Sequence, residues 1–309
     1  MQLLRGENAR IRLGNHLGEI IRLESGVPQG SCLSPTLYII YTADLPPPQG
    51  SSEYVAYADD ITQIVTWGGA KPRPTEVRLA RKTEEAIQSI NDFENKWKIA
   101  TNQSKFTVVP LGQFINEPIM VNGRRIEHSR TGTVLGLEIG KRGIAPHTSA
   151  RIRQANVQLT KIKRFGNLPE RLKSHLYKAL IRPILEYPPV PLDTISKSQQ
   201  LKLQRVQNRA VRWIANWVPP YRETLEETHM RLGLEPLNVR IHRMSRKVWQ
   251  RVEAYDEEVY QRLVTAEPIS TNKWFPRSLP LVVPPEGLYI QNNGANDMDP
   301  VDPDDPDDM

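Results

Sequence analysis

The tetrapeptide Tyr57-Ala58-Asp59-Asp60 lies between two short stretches that favour β-strands, residues 53–56 and 61–65. β-Branched and aromatic side chains dominate both stretches, so the sequence predicts a β-hairpin with the two aspartates at its tip. Adjacent carboxylates repel each other unless a cation lies beside them, and oxygen ligands of this kind suit Mg²⁺. The alternative is a solvated turn, in which aspartate is common.

The composition is that of a folded protein with room for two domains. The chain has 309 residues, of which 39% are hydrophobic and 25% charged. No run of eighteen apolar residues predicts a membrane-spanning helix, and residues 1–23 lack a signal-peptide pattern. The single cysteine, Cys32, excludes an internal disulfide and a multi-cysteine zinc site. We therefore expect an intracellular protein with no membrane partner and no disulfide partner.

The net charge of +6 conceals a division along the chain. From Asp297 onward there are seven aspartates and no lysine or arginine, which leaves 41 basic against 28 acidic residues in the remainder. This excess of positive charge favours a polyanionic partner such as nucleic acid. A generally basic surface without a specific partner is the alternative.

A glycine- and proline-containing segment precedes the predicted hairpin. Residues 25–35 contain Gly26, Pro28 and Gly30, which predict a tight turn whose backbone can approach a ligand closely. Ser34 is the expected helix cap, with Pro35 at the first helical position. This helix should continue to about residue 44, before three consecutive prolines.

Both helix and strand patterns follow the predicted hairpin. Thr75 can cap a helix that extends to about residue 98, because apolar residues recur there at steps of three and four. Short strands are predicted at residues 106–110, 120–121, 125–126 and 134–139. This succession of strands and helices predicts an α+β domain.

The pattern becomes helical after Pro146. Helices are predicted over residues 149–165, 169–184, 196–217 and 237–263, with a short helix opened by a capping box at Thr224. From residue 268 prolines and acidic residues dominate, and the acidic tail lacks the apolar residues needed to fold. The predicted organisation is therefore an α+β domain over residues 1–145, a helical domain over 146–267, and a proline-rich segment with a disordered acidic tail over 268–309.

Several segments together resemble a known family. They are Gly26-Val27-Pro28-Gln29-Gly30-Ser31-Cys32-Leu33-Ser34-Pro35, the Tyr57–Asp60 tetrapeptide, Lys105, Leu135-Gly136, and the later residues 180–187 and 203–210. Over roughly residues 10–250 the chain resembles reverse transcriptases of non-LTR (LINE-type, jockey-like) retrotransposons. The resemblance implies a partial polymerase palm, an antiparallel sheet with packed helices, followed by an α-helical thumb-like bundle.

The resemblance also implies an activity and roles for individual residues. The activity is RNA-directed DNA polymerisation, in which deoxynucleoside triphosphates are added to a primer 3′-hydroxyl paired with an RNA or DNA template. Asp59 and Asp60 correspond to ligands of a two-ion Mg²⁺ site, and Lys105 to a lysine that acts on the pyrophosphate leaving group. The residues around Leu135-Gly136 correspond to the hairpin that holds the primer end. The positions that correspond to template and nucleotide contacts are Gln29, Gly30 and Tyr57.

The sequence departs from the family at one position that matters for catalysis. A family palm contains a further carboxylate in a Phe-x-x-Asp segment, within a region that also includes the fingers and precedes the glycine-rich segment. The acidic residues before Gly26 are Glu7, Glu19 and Glu24, and none lies in such a segment. We therefore expect an N-terminally truncated polymerase, inactive as this chain alone. The alternative is a non-catalytic nucleic-acid-binding remnant, and a metal-dependent nuclease or phosphatase is a weaker third hypothesis.

The predicted helical domain carries cations at steps of three and four. Such spacing places them on one helix face, where they can follow a phosphate backbone without reading its sequence. The alternative is an ordinary charged helix face. A further stripe, Arg240, Arg243, Lys247 and Arg251, lies in the last predicted helix. The residues predicted to contact the nucleic-acid backbone are Arg151, Arg153, Lys202, Arg205, Arg209 and Arg212.

Overall fold

A computed structural model describes most of the chain. The described residues are 7–23, 26–27, 30–48, 52–66, 76–97, 105–111, 117–121, 123–141, 143–217 and 223–265. The chain divides into two compact units, Met1–Val108 with Phe114–His128 and Val109–Gln113 with Ser129–Met309. Residues 268–309, for which a proline-rich segment and a disordered acidic tail are predicted, lie outside the described residues, as does the predicted helix cap Thr75.

The strands of the first unit pair locally, either with the next strand along the chain or across one intervening hairpin. Because short local loops close at small entropic cost, each strand finds its partner nearby, and the single antiparallel sheet expected of a palm is not present among the described residues. They form separate two-stranded antiparallel pairs instead. The pairs are β1 (Glu7–Ala9) with β4 (Ile21–Leu23), β2 (Arg12–Leu13) with β3 (His16–Leu17), β5 (Ser52–Tyr57) with β6 (Asp60–Val65), and β7 (Ile119–Val121) with β8 (Arg124–Ile126).

The described residues of this unit also form the helices α1 (Ser34–Tyr41) and α2 (Glu76–Trp97). The prediction that Ser34 caps α1 is wrong, because Ser34 is the first helical residue and is buried, while Leu33 occupies the cap position. At this turn the Ser31 hydroxyl accepts a hydrogen bond from the Leu33 N–H at 3.3 Å. α1 ends at Tyr41, slightly before the predicted end.

A small apolar core holds α2 against the β7–β8 pair. Its buried members are Ala80, Ile119, Val121 and Ile126, with Ile87, Phe106 and Val108 packed against them. The strand predicted at residues 106–110 is wrong, since Val108 forms only an isolated bridge to His128. Phe106 and Val108 serve as core side chains, and Pro110 has no N–H for a strand ladder.

The second unit begins with a hairpin of β9 (Thr131–Val134) and β10 (Leu137–Gly140). The single strand predicted over residues 134–139 is therefore wrong. The chain reverses at Leu135-Gly136, where both residues have a positive φ, +48° and +79°. Two consecutive positive φ values allow a two-residue hairpin turn. This hairpin lies in the same compact unit as the helices that follow it.

Helices make up most of the other described residues of the second unit. The predicted helix over residues 169–184 is continuous but contains a π-helical turn, Tyr177–Ile181, and the predicted helix over 237–263 is interrupted at Asp256. The helices are α3 (Ala145–Lys163), α4 (Glu170–Leu176), α5 (Arg182–Glu186), α6 (Pro189–Asp193), α7 (Lys197–Ile214), α8 (Leu225–Arg231), α9 (Leu237–Tyr255) and α10 (Glu257–Thr265).

Apolar side chains from these helices form the larger core of the chain. Leu159 of α3, Leu185 of α5 and Val206 of α7 are among its buried members. Capping boxes at Ser196 and Thr224 begin α7 and α8, so the capping box predicted at Thr224 is confirmed. The described chain is thus α+β, with its main core in the helical unit. None of its described helices is long and apolar enough to cross a lipid bilayer.

Candidate functional site

The two aspartates lie at the tip of the β5–β6 hairpin, as predicted. Ala58 and Asp59 form the two-residue loop, and Asp60 begins β6 opposite Tyr57. Ala58 has a φ of +51°, and a positive φ at the first loop position suits the tight turns that join two antiparallel strands. Both aspartates are exposed and adjacent in sequence, so their carboxylates are open to solvent and to a cation.

One face of this hairpin is held by α2. The Gln63 side-chain amide donates a hydrogen bond to the Ala86 carbonyl at 3.3 Å, and Ser52 is buried. Val55 and Tyr57 lie on the opposite face, where Tyr57 is 66% exposed. The hairpin therefore has a fixed face, an open face and an open tip.

The helix that follows the glycine-rich segment is near the same tip. The pKa of Tyr38 in α1 is raised, first by partial burial and then by the negative charge of Asp59. The end of α1 is anchored to the end of α2, because the Tyr41 hydroxyl donates to the Trp97 carbonyl at 2.7 Å. The Trp97 indole N–H in turn donates to Asp44 at 2.8 Å. α1 is thus anchored at its end to α2, and the charge of Asp59 contributes to the raised pKa of Tyr38.

The predicted template- and nucleotide-contacting residues are described in part. Gly30 is exposed, has a φ of +88°, and has no heavy atom within 4 Å of the position that a Cβ would occupy. Its backbone conformation therefore requires glycine, while its surroundings leave space for a ligand. Gln29 lies outside the described residues.

Lys105 is exposed, and no described hydrogen bond or ion pair joins its amine to Asp59 or Asp60. The structure therefore brings Tyr57, Asp59 and Asp60 together at one tip but does not place Lys105 in contact with them. Within the described ranges no group of three or more histidine, cysteine or acidic side chains is arranged to hold a metal ion.

The predicted backbone-contacting cations separate into two classes. Arg153, Lys202 and Arg205 are exposed. The other three are partly buried and engaged within the protein. Arg209 donates to the Asn156 side chain at 2.9 Å, the Arg212 guanidinium lies 5.6 Å from the centre of the Trp217 ring, and Arg151 donates to the Gly136 carbonyl at 3.1 Å. Exposed cations therefore remain on α3 and α7.

The stripe on α9 is partly neutralised by carboxylates. Arg240 forms an ion pair with the buried Glu186 and lies 3.5 Å from Glu235, and Arg243 also pairs with Glu235. Burial raises the pKa of Glu186, although Arg240 and Arg182 oppose this change. Lys247 and Arg251 remain exposed. The first half of this stripe therefore stabilises the bundle, and its charge is compensated.

Three residues in contact with these features were not assigned a role from the sequence. The charge of Asp59 contributes to the raised pKa of Tyr38. His147 on α3 and Tyr187, the residue after α5, form hydrogen bonds with the β9–β10 hairpin. The only available signal was that Tyr187 ends one of the segments that carry the family resemblance. Contacts between residues so distant in sequence leave no local pattern.

Comparison with known proteins agrees with the resemblance. Residues 2–139 match the family model described as reverse transcriptase (RNA-dependent DNA polymerase). The chain is 26% identical over 277 residues to a probable RNA-directed DNA polymerase from transposon BS of Drosophila melanogaster, covering 84% of this chain and 29% of the relative. It is 24% identical over 258 residues to the RNA-directed DNA polymerase from mobile element jockey of Drosophila funebris, covering 79% of this chain and 27% of the relative.

The chain thus spans under a third of the length of the curated relatives it matches. No solved structure matches it. The match to the family model includes both the glycine-rich segment and the hairpin with its two aspartates.

Proposed function

We propose that this chain, whose residues 2–139 belong to the reverse transcriptase family, carries part of the active site of an RNA-directed DNA polymerase. The reaction would be templated addition of deoxynucleotides to a primer 3′-hydroxyl on an RNA or DNA template. The observation that carries the proposal is the position of Asp59 and Asp60, which lie within the matched range at an exposed hairpin tip. Residues 1–145 would form the palm part and residues 146–267 the thumb-like part.

The donor set at the tip fits a magnesium ion. Mg²⁺ is commonly bound by one or two carboxylates, with water and substrate phosphates completing its coordination. Asp59 and Asp60 would supply those carboxylates, with Asp60 held by strand pairing and Asp59 at the loop. When bound, such ions stabilise the negative charge that develops on the transferred phosphoryl group.

Other residues would bind the substrates. Gly30 and Tyr57 both leave surface open to a base pair between template and incoming nucleotide, and Gln29 would join them by resemblance. Lys105 would neutralise or protonate the pyrophosphate leaving group; its exposed amine is compatible with this role but is not positioned by a described contact.

The helical unit would bind the phosphate backbone. Arg153 on α3, with Lys202 and Arg205 on α7, presents exposed positive charge suited to this role. Arg209 and Arg212, which are partly buried, would stabilise this surface through their contacts within the protein. Because contacts to phosphate carry no sequence information, binding should depend strongly on salt and weakly on sequence.

We expect the 309-residue chain by itself to extend a primer negligibly. Two carboxylates form the candidate site, and no third acidic or histidine ligand accompanies them among the described residues. The same observation favours a second function, a non-catalytic nucleic-acid-binding protein on the same scaffold. The two functions differ in whether nucleotide binding depends on Asp59 and Asp60.

Formation of a ternary complex separates the two functions. A fluorescent DNA primer ending in a dideoxynucleotide is annealed to an RNA template, and its affinity for the chain is measured by anisotropy with Mg²⁺ and either the complementary or a mismatched nucleotide. A polymerase site predicts tighter binding with the complementary nucleotide only. Asp59→Asn and Asp60→Asn should remove this gain, while Asp92→Asn, on the exposed face of α2, should retain it.

Equal binding with both nucleotides would favour the non-catalytic function. The same experiment with a primer that has a free 3′-hydroxyl measures primer extension. Robust extension that is lost in Asp59→Asn would contradict the expected incompleteness of the site while supporting the polymerase assignment.

A further inference from the structure

The turn that joins β9 and β10 has an unusual residue at its tip. Leu135 has a φ of +48°, a region that bulky side chains rarely adopt, and it is followed by Gly136 at +79°. Leu135 is nevertheless 45% exposed, so burial of its side chain does not explain the conformation. Strained residues of this kind persist where the surrounding structure fixes them, and they concentrate at functional sites.

Three side chains from outside the hairpin fix this turn. The Tyr187 hydroxyl donates to the Leu135 carbonyl at 2.7 Å, and Arg151 donates to the Gly136 carbonyl at 3.1 Å. His147 accepts a hydrogen bond from the Glu138 N–H at 3.2 Å through Nδ1. Both carbonyls of the turn and one amide just after it are therefore held by side chains of the helical unit.

The same three side chains also hold one another. The Nε2–H of His147 donates to the Tyr187 carbonyl at 2.9 Å, and the Arg151 guanidinium lies 5.6 Å from the centre of the Tyr187 ring. His147 is 2% exposed, and burial is the main cause that lowers its pKa, which favours the neutral ring. A proton on Nε2 suits its contacts with Glu138 and Tyr187, and the Arg151 Nε lies 3.4 Å from the same ring nitrogen. The side chains of His147, Arg151 and Tyr187 thus form a clamp around the turn.

This arrangement changes the role expected of Arg151. Its guanidinium is directed to the hairpin and the tyrosine ring, whereas Arg153, two residues later, is exposed on the same helix. Within the described chain no carboxylate forms an ion pair with Arg151, so its positive charge remains uncompensated beside the exposed Leu135 and Tyr187. An apolar and aromatic surface next to a cation is suited to a nucleotide within a nucleic-acid strand.

We propose that Tyr187, Arg151 and His147 are positioning residues that fix the Leu135-Gly136 turn against the end of the bound primer strand. The inference rests on the proposed function, because the primer is its ligand. The clamp determines which nucleotide meets Leu135, whereas the cations of α3 and α7 determine how tightly the nucleic acid binds. Loss of the clamp should therefore disturb the register of the primer more than the total affinity.

Disulfide trapping measures this register. In a Cys32→Ser background, Leu135→Cys provides one reactive thiol at the turn, and primers carry a thiol tether on one of several successive nucleotides near the 3′ end. We expect trapping to concentrate on one or two adjacent nucleotides. Met230→Cys, 65% exposed in the same unit, is the matched thiol control and should show no preferred position.

Removal of single clamp contacts then tests the positioning role. Tyr187→Phe retains the ring but loses the hydrogen bond to Leu135, and should lower trapping at the preferred nucleotide by about three- to tenfold, with a broader distribution. Arg151→Gln should act similarly, and Arg151→Lys should restore part of the preference. The total affinity of Tyr187→Phe, measured by anisotropy on the same samples, should change less than twofold, and circular dichroism should verify the folding of each variant.

The possible results distinguish this inference from the proposed function. If the chain binds the primer–template but Leu135→Cys traps every position equally, or Tyr187→Phe leaves the pattern unchanged, the positioning role is wrong and the proposed function stands. If the chain does not bind the primer–template at low salt, the proposed function fails and the inference fails with it.

Discussion

Replacement of Arg205 by alanine should weaken nucleic-acid binding in a way that depends on salt. Arg205 is exposed on α7, whereas Arg243 on α9 is exposed but bound to Glu235. A cation that neutralises a DNA phosphate releases counterions, so each lost contact lowers the slope of log K against log salt concentration by about 0.9. The same substitution at Arg243 removes a compensated charge and should leave this slope unchanged.

The magnitude follows from the exposed cations of α3 and α7. When the salt concentration rises from about 50 to 200 mM, the wild-type chain loses affinity. For each phosphate contact removed, a slope change of about 0.9 makes this loss roughly 3.5-fold smaller. Combined replacement of Arg153, Lys202 and Arg205 should therefore reduce that loss by about 40-fold, if each contacts one phosphate. Alanine is well tolerated in helices, so these surface changes should leave the fold intact.

The assay is fluorescence anisotropy of a labelled DNA duplex at several salt concentrations, with the wild-type chain, the triple variant and Arg243→Ala. A slope that is unchanged in the triple variant would refute the assignment of the phosphate-binding surface to α3 and α7. A slope that decreases in Arg243→Ala would show that the ion pair with Glu235 does not determine which cations bind phosphate.

Three further predictions concern stability. Leu203→Ala in the main core, where Leu203 is 1% exposed, should lower the free energy of unfolding by about 2–5 kcal/mol in urea denaturation. Gly136→Ala should lower it by about 1–2 kcal/mol because of the positive φ, whereas Gly166→Ala, in open space, should cost less. Burial lowers the pKa of His147 and His229 in the folded chain, so near and below the ordinary value of 6.5 the unfolded state binds more protons. The free energy of unfolding should therefore fall as the pH decreases through 6.5, and this fall should be smaller in His229→Gln than in the wild-type chain.

Local patterns in the sequence were sufficient to identify the hairpin with Asp59 and Asp60. Its strands are β-branched and aromatic, and its loop has two residues, so propensity and pairing favour the same structure. α2 and the capping box at Thr224 were also predictable, because periodic apolar residues and a capping pair are encoded within a few positions.

Other features depend on contacts between distant residues. The local pattern missed the break at Leu135-Gly136 because an apolar residue next to glycine continues a strand pattern. The contacts that hold the turn come from Arg151 and Tyr187. The neutralisation of Arg240 was missed for the same reason, since Glu186 lies 54 positions away. Spacing identifies which cations share a helix face, but tertiary packing decides which of them keep an uncompensated charge.

Iron-mediated cleavage tests most directly whether the hairpin tip binds a divalent metal. Fe²⁺ substituted for Mg²⁺, with ascorbate and peroxide, generates radicals that cut the backbone beside the bound ion, and mass spectrometry identifies the cut. We predict cleavage at or next to Asp59 and Asp60, suppressed by excess Mg²⁺, absent from the Asp59→Asn, Asp60→Asn double variant and retained in Asp92→Asn. Absence of a cut at the tip, or a cut that persists in the double variant, would contradict a metal site there.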